Sequence, residues 1–277
     1  MFSVRFWGVR GSIPCPGQDT VEYGGNTSCI EIRADERLLI IDLGSGARLL
    51  GDWLLENEMK KHGKIKAEIF ITHTHWDHIM GFPMFTPIYI KGTELTINGP
   101  VFPNNDKLKD IFEIQLSYNY WPVRLDELSA KIDYNQINET TVDLGGGLTV
   151  TSKILNHPTI CLGYRFNFQG KSIAIVYDHE PFSNSDDNEK ISQFVKDADL
   201  LIHDAQYTNE EYPNHIGWGH STMDTALQTA AAAGAKTLIL HHHDPSHTDA
   251  LLALQEKIYA GKDVKCVMAK EGMCLTL

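Results

Sequence analysis

The stretch "IFITHTHWDH" (Ile69–His78) joins a short apolar run to a dense group of potential metal ligands. The apolar half predicts a buried β-strand, because runs of this length and composition are typical of sheet interiors. The polar half carries His73, His75, Asp77 and His78. A turn after the strand can direct one pair at one metal ion and the other pair at a second. A solvated polar loop is the alternative, but it explains a lone histidine better than this density.

Polar residues also end several other predicted strands. They are Asp42, Asp178, Asp204 and the run His241–His243, which follows "TLIL". In α/β sheets, functional side chains gather at strand ends, where loops converge. We therefore expect these residues to lie near the H-x-H-x-D-H segment.

Apolar strand patterns alternate with helical patterns along the whole chain. The predicted strands cover 37–44, 67–73, 94–98, 148–155, 162–168, 172–178, 199–204 and 237–241. The predicted helices are Ala47–Lys61, Asp106–Leu116, Asn188–Lys196, Met223–Ala233 and Thr248–Ile258. No linker or repeat divides the chain, so we expect one α/β domain over 1–277, with its most individual segment, a family-specific insertion, around 84–137.

The composition limits the class of protein. The 277 residues are 42% hydrophobic and 22% charged, which is ordinary for a globular domain. The five cysteines are scattered and include no CxxC pair, so reduced thiols are expected. With neither a signal-peptide pattern nor a long apolar run, the expected location is the cytoplasm. The formal charge of −12 disfavours non-specific nucleic-acid binding.

The H-x-H-x-D-H pattern resembles the hallmark of the metallo-β-lactamase superfamily, and the resemblance extends over nearly the whole chain. It implies a four-layer αββα sandwich in which mixed β-sheets are flanked by helices. It also implies a ligand set for two metal ions, with Asp178 as the bridging carboxylate. That set is His73, His75, Asp77, His78, His157, Asp178 and His242, and Asp42 matches an early strand-end aspartate.

The choice among the three consecutive histidines rests on the same resemblance. Related nucleases end this strand with L-x-L-T-H, which places His242 at the ligand position and His241 at the threonine. His243 then supports the site from behind or lines its pocket, steadied by Asp244. We expect His242→Ala to empty or weaken the second metal site, and His241→Ala to matter least.

The predicted cofactors are two divalent metal ions. Zinc is the default, although manganese, iron or cobalt suit the same nitrogen and oxygen donors. Zinc β-lactamases typically place a cysteine where this chain has Asp178, which argues against β-lactam hydrolysis. Flavodiiron-type relatives have an acidic residue where this chain has His75, which disfavours oxygen chemistry.

Two further segments resemble the branch of phosphodiesterases that includes the tRNA 3′-processing nucleases. "ADLLIHDAQY" is similar to their H-E-A-T segment, with Asp204 in place of the glutamate, and "GHST" is similar to their H-S-T segment. The resemblance implies that His220 and Asp204 protonate the leaving group, and Asp77 is the third predicted catalytic residue. The alternative is that His220 packs at a helix start and Asp204 caps a turn.

Several other residues are candidates for contact with substrate. Trp76 lies inside the metal motif and Trp218 lies beside His220. Asn26 or Arg10 could bind a phosphate from the glycine-rich N-terminal loop. Aromatic residues of segment 84–137 either overhang the site or cover a sheet. His179 either lines the pocket or is solvated, and His203 is expected to be structural.

The predicted function is a dinuclear metal-dependent hydrolase, a phosphodiesterase that acts on small, including cyclic, phosphodiesters through a metal-bridging hydroxide. Its expected partner is a small-molecule substrate, and a homodimer is left open. A nucleic-acid polymer is not expected, because only twenty residues separate His157 from Asp178 and no tRNA-gripping arm is evident. The alternatives are hydrolysis of a lactone, a thioester or an RNA 3′ end, or a non-catalytic metal-bound sensor.

Overall fold

The computed structural model describes residues 1–277 and contains fourteen strands in two seven-stranded sheets. The strands are β1 Phe2–Gly8, β2 Cys29–Ala34, β3 Arg37–Ile41, β4 Ile65–Phe70, β5 Thr93–Pro100, β6 Lys131–Ile137, β7 Thr140–Gly145, β8 Leu148–Ile154, β9 Leu162–Phe168, β10 Lys171–Val176, β11 Leu200–Asp204, β12 Thr237–His241, β13 Lys265–Met268 and β14 Cys274–Thr276. The first sheet has the order β14-β1-β2-β3-β4-β5-β6 and the second has the order β13-β12-β11-β10-β9-β8-β7.

Both sheets are mixed, as predicted. In the first sheet β3, β4, β5 and β6 run parallel, and the pairs β14–β1, β1–β2 and β2–β3 are antiparallel. In the second sheet β10, β11, β12 and β13 run parallel, and β7, β8 and β9 extend it in antiparallel fashion. The carboxyl ends of the parallel strands within each sheet meet at one edge, which is where loops can assemble a site.

The main helices flank the sheets. They are α1 Ala47–Leu54, α2 Trp76–Ile79, α3 Leu108–Gln115, α4 Ser185–Phe194, α5 Met223–Ala233 and α6 Asp249–Tyr259. After α1 the helical path continues through a π-turn, Leu55–Met59, to Lys60–His62. The last three helices begin at side-chain caps, in which Asn184, Thr222 and Thr248 each accept from the backbone N–H three residues on. The cap at Asn184 explains why α4 begins earlier than its apolar pattern predicts.

Three apolar layers hold the four structural layers together, which confirms the predicted αββα sandwich. Strand β3 shows why, because its side chains are buried on both faces. Leu39 and Ile41 pack into the core between the sheets, whereas Leu38 and Ile40 pack beneath the helices of the outer layer. A third cluster packs α4, α5 and α6 on the second sheet. Each fully buried large apolar side chain stabilises such a core by about 1.5–3 kcal/mol.

The sequence did not predict six of the strands, which are β1, β2, β6, β7, β13 and β14. Strands β6 and β7 are sheet edges whose side chains are mostly exposed, so they carry little apolar periodicity. Segment 84–137 contributes β5 and β6 to the first sheet and α3 to its outer layer. None of the helices combines the length and the apolar character that crossing a membrane requires.

Candidate metal centre

The predicted metal ligands converge where the two sheets meet at their strand ends. The first sheet supplies the residues after β4, and the second sheet supplies those after β8, β10 and β12. Asp42, Asp178 and His242 have positive φ values of 58°, 46° and 63°. Such left-handed backbone costs about 1–3 kcal/mol at a non-glycine residue and is concentrated at functional sites. The backbone therefore marks these strand ends independently of the side chains.

One donor group consists of His73, His75, His157 and Asp178, whose donor atoms lie within 4.8 Å of one another. Nε2 of His157 is 3.1 Å from Nδ1 of His75. Oδ2 of Asp178 is 3.3 Å from Nε2 of His73 and 3.8 Å from Nε2 of His157. The structure thus brings together three imidazoles and one carboxylate oxygen from three loops.

A second donor group consists of Asp77, His78 and His242. Nε2 of His78 and Nε2 of His242 lie 3.2 Å apart. Oδ2 of Asp77 lies 3.2 Å from His78 Nε2 and 3.3 Å from His242 Nε2. The other oxygen of Asp178, Oδ1, lies 3.2 Å and 3.3 Å from the same two nitrogens. Asp178 therefore faces both groups, one oxygen to each, as a bridging carboxylate must.

Both groups fit divalent metal ions. Tetrahedral ligands about 2.0–2.2 Å from a cation lie roughly 3.3 Å from one another, which is the spacing of these donor atoms. Nε2 of His73 and Oδ1 of Asp178 are buried and have no hydrogen-bond partner. Burial alone would lower the pKa of His78, but the charges of Asp178, Asp77 and Asp42 outweigh it and raise that pKa well above its usual value. The pocket thus favours positive charge at its centre.

Hydrogen bonds behind the histidines select which ring nitrogen faces the centre. Nδ1 of His78 contacts Oδ2 of Asp42 at 2.7 Å, and Nδ1 of His157 contacts the Gly219 carbonyl at 3.0 Å. Nδ1 of His242 contacts Oε1 of Gln206, also at 3.0 Å. Each contact leaves Nε2 directed inward, which is how protein sites orient imidazole ligands.

Three supporting residues were missed by the sequence reasoning: Gln206, Ser12 and Gly11. The backbone N–H of Ser12 donates to Oδ2 of Asp77 at 2.8 Å. A Cβ at Gly11 would lie 2.5 Å from the His242 ring, so the backbone can pass here only without a side chain. The glycine-rich N-terminal loop is a signal for such a close approach, but it does not indicate the partner.

His220 and Asp204 form a buried pair beside the metal ligands. Nδ1 of His220 lies 2.8 Å from Oδ2 of Asp204. The His220 ring stacks on His242 at a centroid distance of 5.0 Å and meets His157 edge-on at 5.4 Å. Burial lowers the pKa of His220, but Asp204 and the nearby carboxylates outweigh it and raise the pKa to about 9. The carboxylates around His220 therefore favour its protonated form.

Several other predicted site residues do not contact the donor groups and instead form hydrogen bonds that support the fold. His243 is buried, and its Nε2 donates to the Ala269 carbonyl, so its predicted place in or behind the pocket was wrong. Asp244 does not steady it; the aspartate accepts from Ser246 instead. His241 is also buried, and its Nε2 donates to the Gly8 carbonyl.

The two phosphate-binding candidates of the N-terminal loop do not face the site. Asn26 donates through its backbone and its amide to Glu271 and accepts from Ser45. Arg10 is fully buried and donates to three backbone carbonyls. Both interpretations as phosphate ligands were therefore wrong, because Arg10 has no exposed surface and the Asn26 side chain is already paired with Glu271 and Ser45.

The remaining candidates divide between the interior and the surface. His179 is buried, Nδ1 accepts from the Asn156 N–H, and burial lowers its pKa to about 3, which excludes the solvated alternative. His203 is buried within β11, as expected of a structural residue. Trp76 and Trp218 are 63% and 59% exposed; Trp76 follows His75 directly, and Trp218 lies two residues before His220.

The aromatic residues of segment 84–137 also divide. Phe85 is buried in the outer core, and Trp121 donates to the hydroxyl of Tyr89. Tyr118 and Tyr120 remain exposed. The covering role therefore applies to Phe85, Tyr89 and Trp121.

Comparison with known proteins places these features in a family. The profile of the "Beta-lactamase superfamily domain" matches residues 48–243. Ribonuclease Z of Haloarcula marismortui is 23% identical over 311 residues, covering 98% of this chain and 95% of that protein. Among solved structures, the metallo-β-lactamase-fold protein YhfI of Bacillus subtilis has a TM-score of 0.72 at 19% identity, covering 99% and 98% of the two chains. The human short-form tRNase Z has a TM-score of 0.69 at 20% identity, with 99% and 98% covered. These matches confirm the resemblance drawn from the H-x-H-x-D-H motif.

The expectation of a small-molecule substrate in place of a nucleic-acid polymer was wrong. The finding that overturns it is that a relative aligned over 98% of this chain is a ribonuclease Z. The physical reason is that a net charge of −12 is a sum over the whole surface. Nucleic-acid binding depends on the charge at the contact surface, and bound divalent cations change that charge locally.

Proposed function

This chain belongs to the metal-dependent hydrolases of the beta-lactamase superfamily, and from that premise we propose that it hydrolyses phosphodiester bonds in RNA, at or near the 3′ end. The observation that carries the proposal is the His220–Asp204 pair, 2.8 Å apart, beside the two donor groups. Hydrolysis of a phosphodiester produces an alkoxide leaving group, which requires a proton donor at this position. The ribonuclease Z relatives support RNA as the substrate.

The proposed metal ligands are His73, His75 and His157 in one group, Asp77, His78 and His242 in the other, and Asp178 between them. When bound, two divalent ions lower the pKa of water towards about 7 and stabilise negative charge on the phosphoryl oxygens. The donor set suits zinc, and equally manganese, iron or cobalt. The left-handed backbone at Asp178 and His242 sets the direction in which these two ligands leave their strand ends.

Proton donation to the leaving group falls to the His220–Asp204 pair. Asp204 accepts from Nδ1 of His220, which leaves the proton on Nε2 for the leaving oxygen. The backbone N–H groups of His179 and Gln206 also donate to Asp204, so the carboxylate cannot swing away. Positioned proton donors of this kind accelerate a reaction typically ~10²–10⁴-fold.

The experiment compares two phosphodiesters that differ in their need for an acid. The metal-loaded protein is assayed on an end-labelled RNA hairpin with a 3′ trailer and on bis-(p-nitrophenyl) phosphate, whose leaving group departs without protonation. We expect His220→Ala to lose about 10²–10⁴-fold on RNA and far less on the nitrophenyl ester. His62→Ala, at an exposed helix end, serves as the matched control.

Metal content measured on the same samples separates the two roles of a histidine. If His220→Ala loses metal, then His220 is a ligand and the acid assignment is wrong. If the wild-type protein with full metal content leaves the RNA intact, the proposed substrate is wrong.

A further inference from the structure

A cleft of about 670 Å³ opens directly beside the candidate metal centre. His157, a proposed ligand, lines it together with Gly219, the residue before His220. Ile216 and Phe182 form its apolar walls. A cleft of this size lies within the range of small-ligand sites, about 300–1,000 Å³.

The loop that forms one wall is held by a buried carboxylate. Glu180, 7% exposed, accepts from the backbone N–H of Gly217 at 2.8 Å and of Gly219 at 2.9 Å. The hydroxyl of Tyr212 donates to the same carboxylate at 2.7 Å. The loop nevertheless presents Ile216 to solvent, 67% exposed. An isoleucine fixed in an exposed position on a braced loop is a preformed apolar contact surface.

The chemistry of the lining selects the occupant. No lysine or arginine lines the cleft, so it offers no charge for a phosphate. The Glu180 carboxylate is already saturated by its donors. Ser183 Oγ and Asn156 Oδ1 make no hydrogen bond within the chain and remain available to a ligand. Apolar walls with a few neutral polar groups suit an uncharged nucleoside, a base with its ribose.

The position of the cleft indicates on which side of the scissile phosphate the bound nucleoside lies. The His157 ring, which lines the cleft, lies 5.4 Å from the His220 ring, so this side of the cleft adjoins the proton donor. The group attached to the leaving oxygen must lie on the same side as the donor that protonates that oxygen. We propose that this cleft binds the nucleoside on the leaving-group side of the scissile phosphate. The inference rests on the proposed RNA hydrolysis.

The kinetic test combines a protein variant with a substrate lacking one base. RNA substrates carry a single abasic residue on either the leaving-group side or the opposite side of the scissile phosphate. In the wild type, loss of the leaving-side base should raise KM about tenfold, with kcat little changed. Ile216→Ser should raise KM on intact RNA and abolish most of the further effect of base removal. Ile114→Ser, at a 65% exposed isoleucine on α3, is the matched control.

A binding measurement tests the cleft without turnover. In protein with methyl-labelled isoleucines, titration with uridine or adenosine should shift the Ile216 methyl signal and leave that of Ile114 unchanged. An unshifted Ile216 signal combined with an unchanged KM in Ile216→Ser overturns the proposal. Coupling between Ile216 and the base on the opposite side overturns the assignment of the side. A shifted signal in a protein that leaves RNA intact retains the nucleoside site and rejects RNA hydrolysis.

Discussion

Oδ2 of Asp42 lies 2.7 Å from Nδ1 of His78, and Thr72 donates to the same carboxylate through both its N–H and its hydroxyl. The carboxylate thereby fixes the ring orientation of one proposed ligand. We expect Asp42→Asn to weaken metal binding in the second group by about 10–100-fold, the usual effect of losing such a supporting group. Competition with a chelator measures this, and Asp52→Asn, at an exposed position of α1, is the control. Unchanged affinity in Asp42→Asn would contradict the role.

His241, the last residue of β12, and His242, the residue after it, should separate metal binding from stability. His242→Ala should empty the second metal position, because His242 contributes Nε2 to that group. His241→Ala should retain both metals and lower the free energy of unfolding by about 2–4 kcal/mol, because its ring is buried against Tyr177 at 4.5 Å. The expectation that His241 matters least therefore applies to metal content alone. Metal analysis and chemical denaturation of both variants decide the matter.

Gly11 should be intolerant of a single methyl group. Its added Cβ would lie 2.5 Å from the His242 ring, which Gln206 holds from behind. We expect Gly11→Ala to displace the ring and to reduce metal occupancy of the second group. Gly17→Ala in the same loop meets nothing closer than 3.9 Å and should bind metal normally. Equal metal content in the two variants would show that the loop adapts.

The free energy of unfolding at acidic pH should depend on Asp199, which lies far from the metal centre. Burial alone would raise its pKa, but the Lys236 ammonium, the Ser172 N–H and Lys171 outweigh it and lower that pKa. A carboxyl with a lowered folded-state pKa stabilises the protein above its unfolded value, about 3.9, and this stabilisation is lost as pH falls further. Asp199→Asn should therefore flatten the decline in the free energy of unfolding below about pH 4. Denaturation titrations at several pH values test this, with Asp143→Asn as the exposed control.

The sequence predicted the strands whose apolar character is continuous, and it predicted the ligands that belong to a recognisable spacing. Strands such as β3 and β12 are buried on both faces, so their composition alone reveals them. Edge strand β6 is mostly exposed, so its sequence lacks the apolar pattern of a buried strand. It is a strand because it pairs with β5, and that tertiary contact cannot be read from the local sequence.

The same limit applies to the site. Only the resemblance could identify His242, rather than His241 or His243, as the metal ligand. The three side chains are identical, and what distinguishes them in the structure is the backbone conformation, with a φ of 63° at His242. Gln206, Ser12 and Glu180 act through contacts with residues more than thirty positions away in the chain. Arg10 shows the converse, because a charged residue in a glycine-rich loop resembles a phosphate ligand until its burial is known.

The ligands of the proposed centre come from both halves of the sandwich. His73, His75, Asp77 and His78 follow a strand of the first sheet, whereas His157, Asp178 and His242 follow strands of the second. The full set of seven proposed ligands is therefore assembled only when the two halves have docked. A cation held by Asp77 and His242 would join residues more than 150 positions apart, much as a disulfide would.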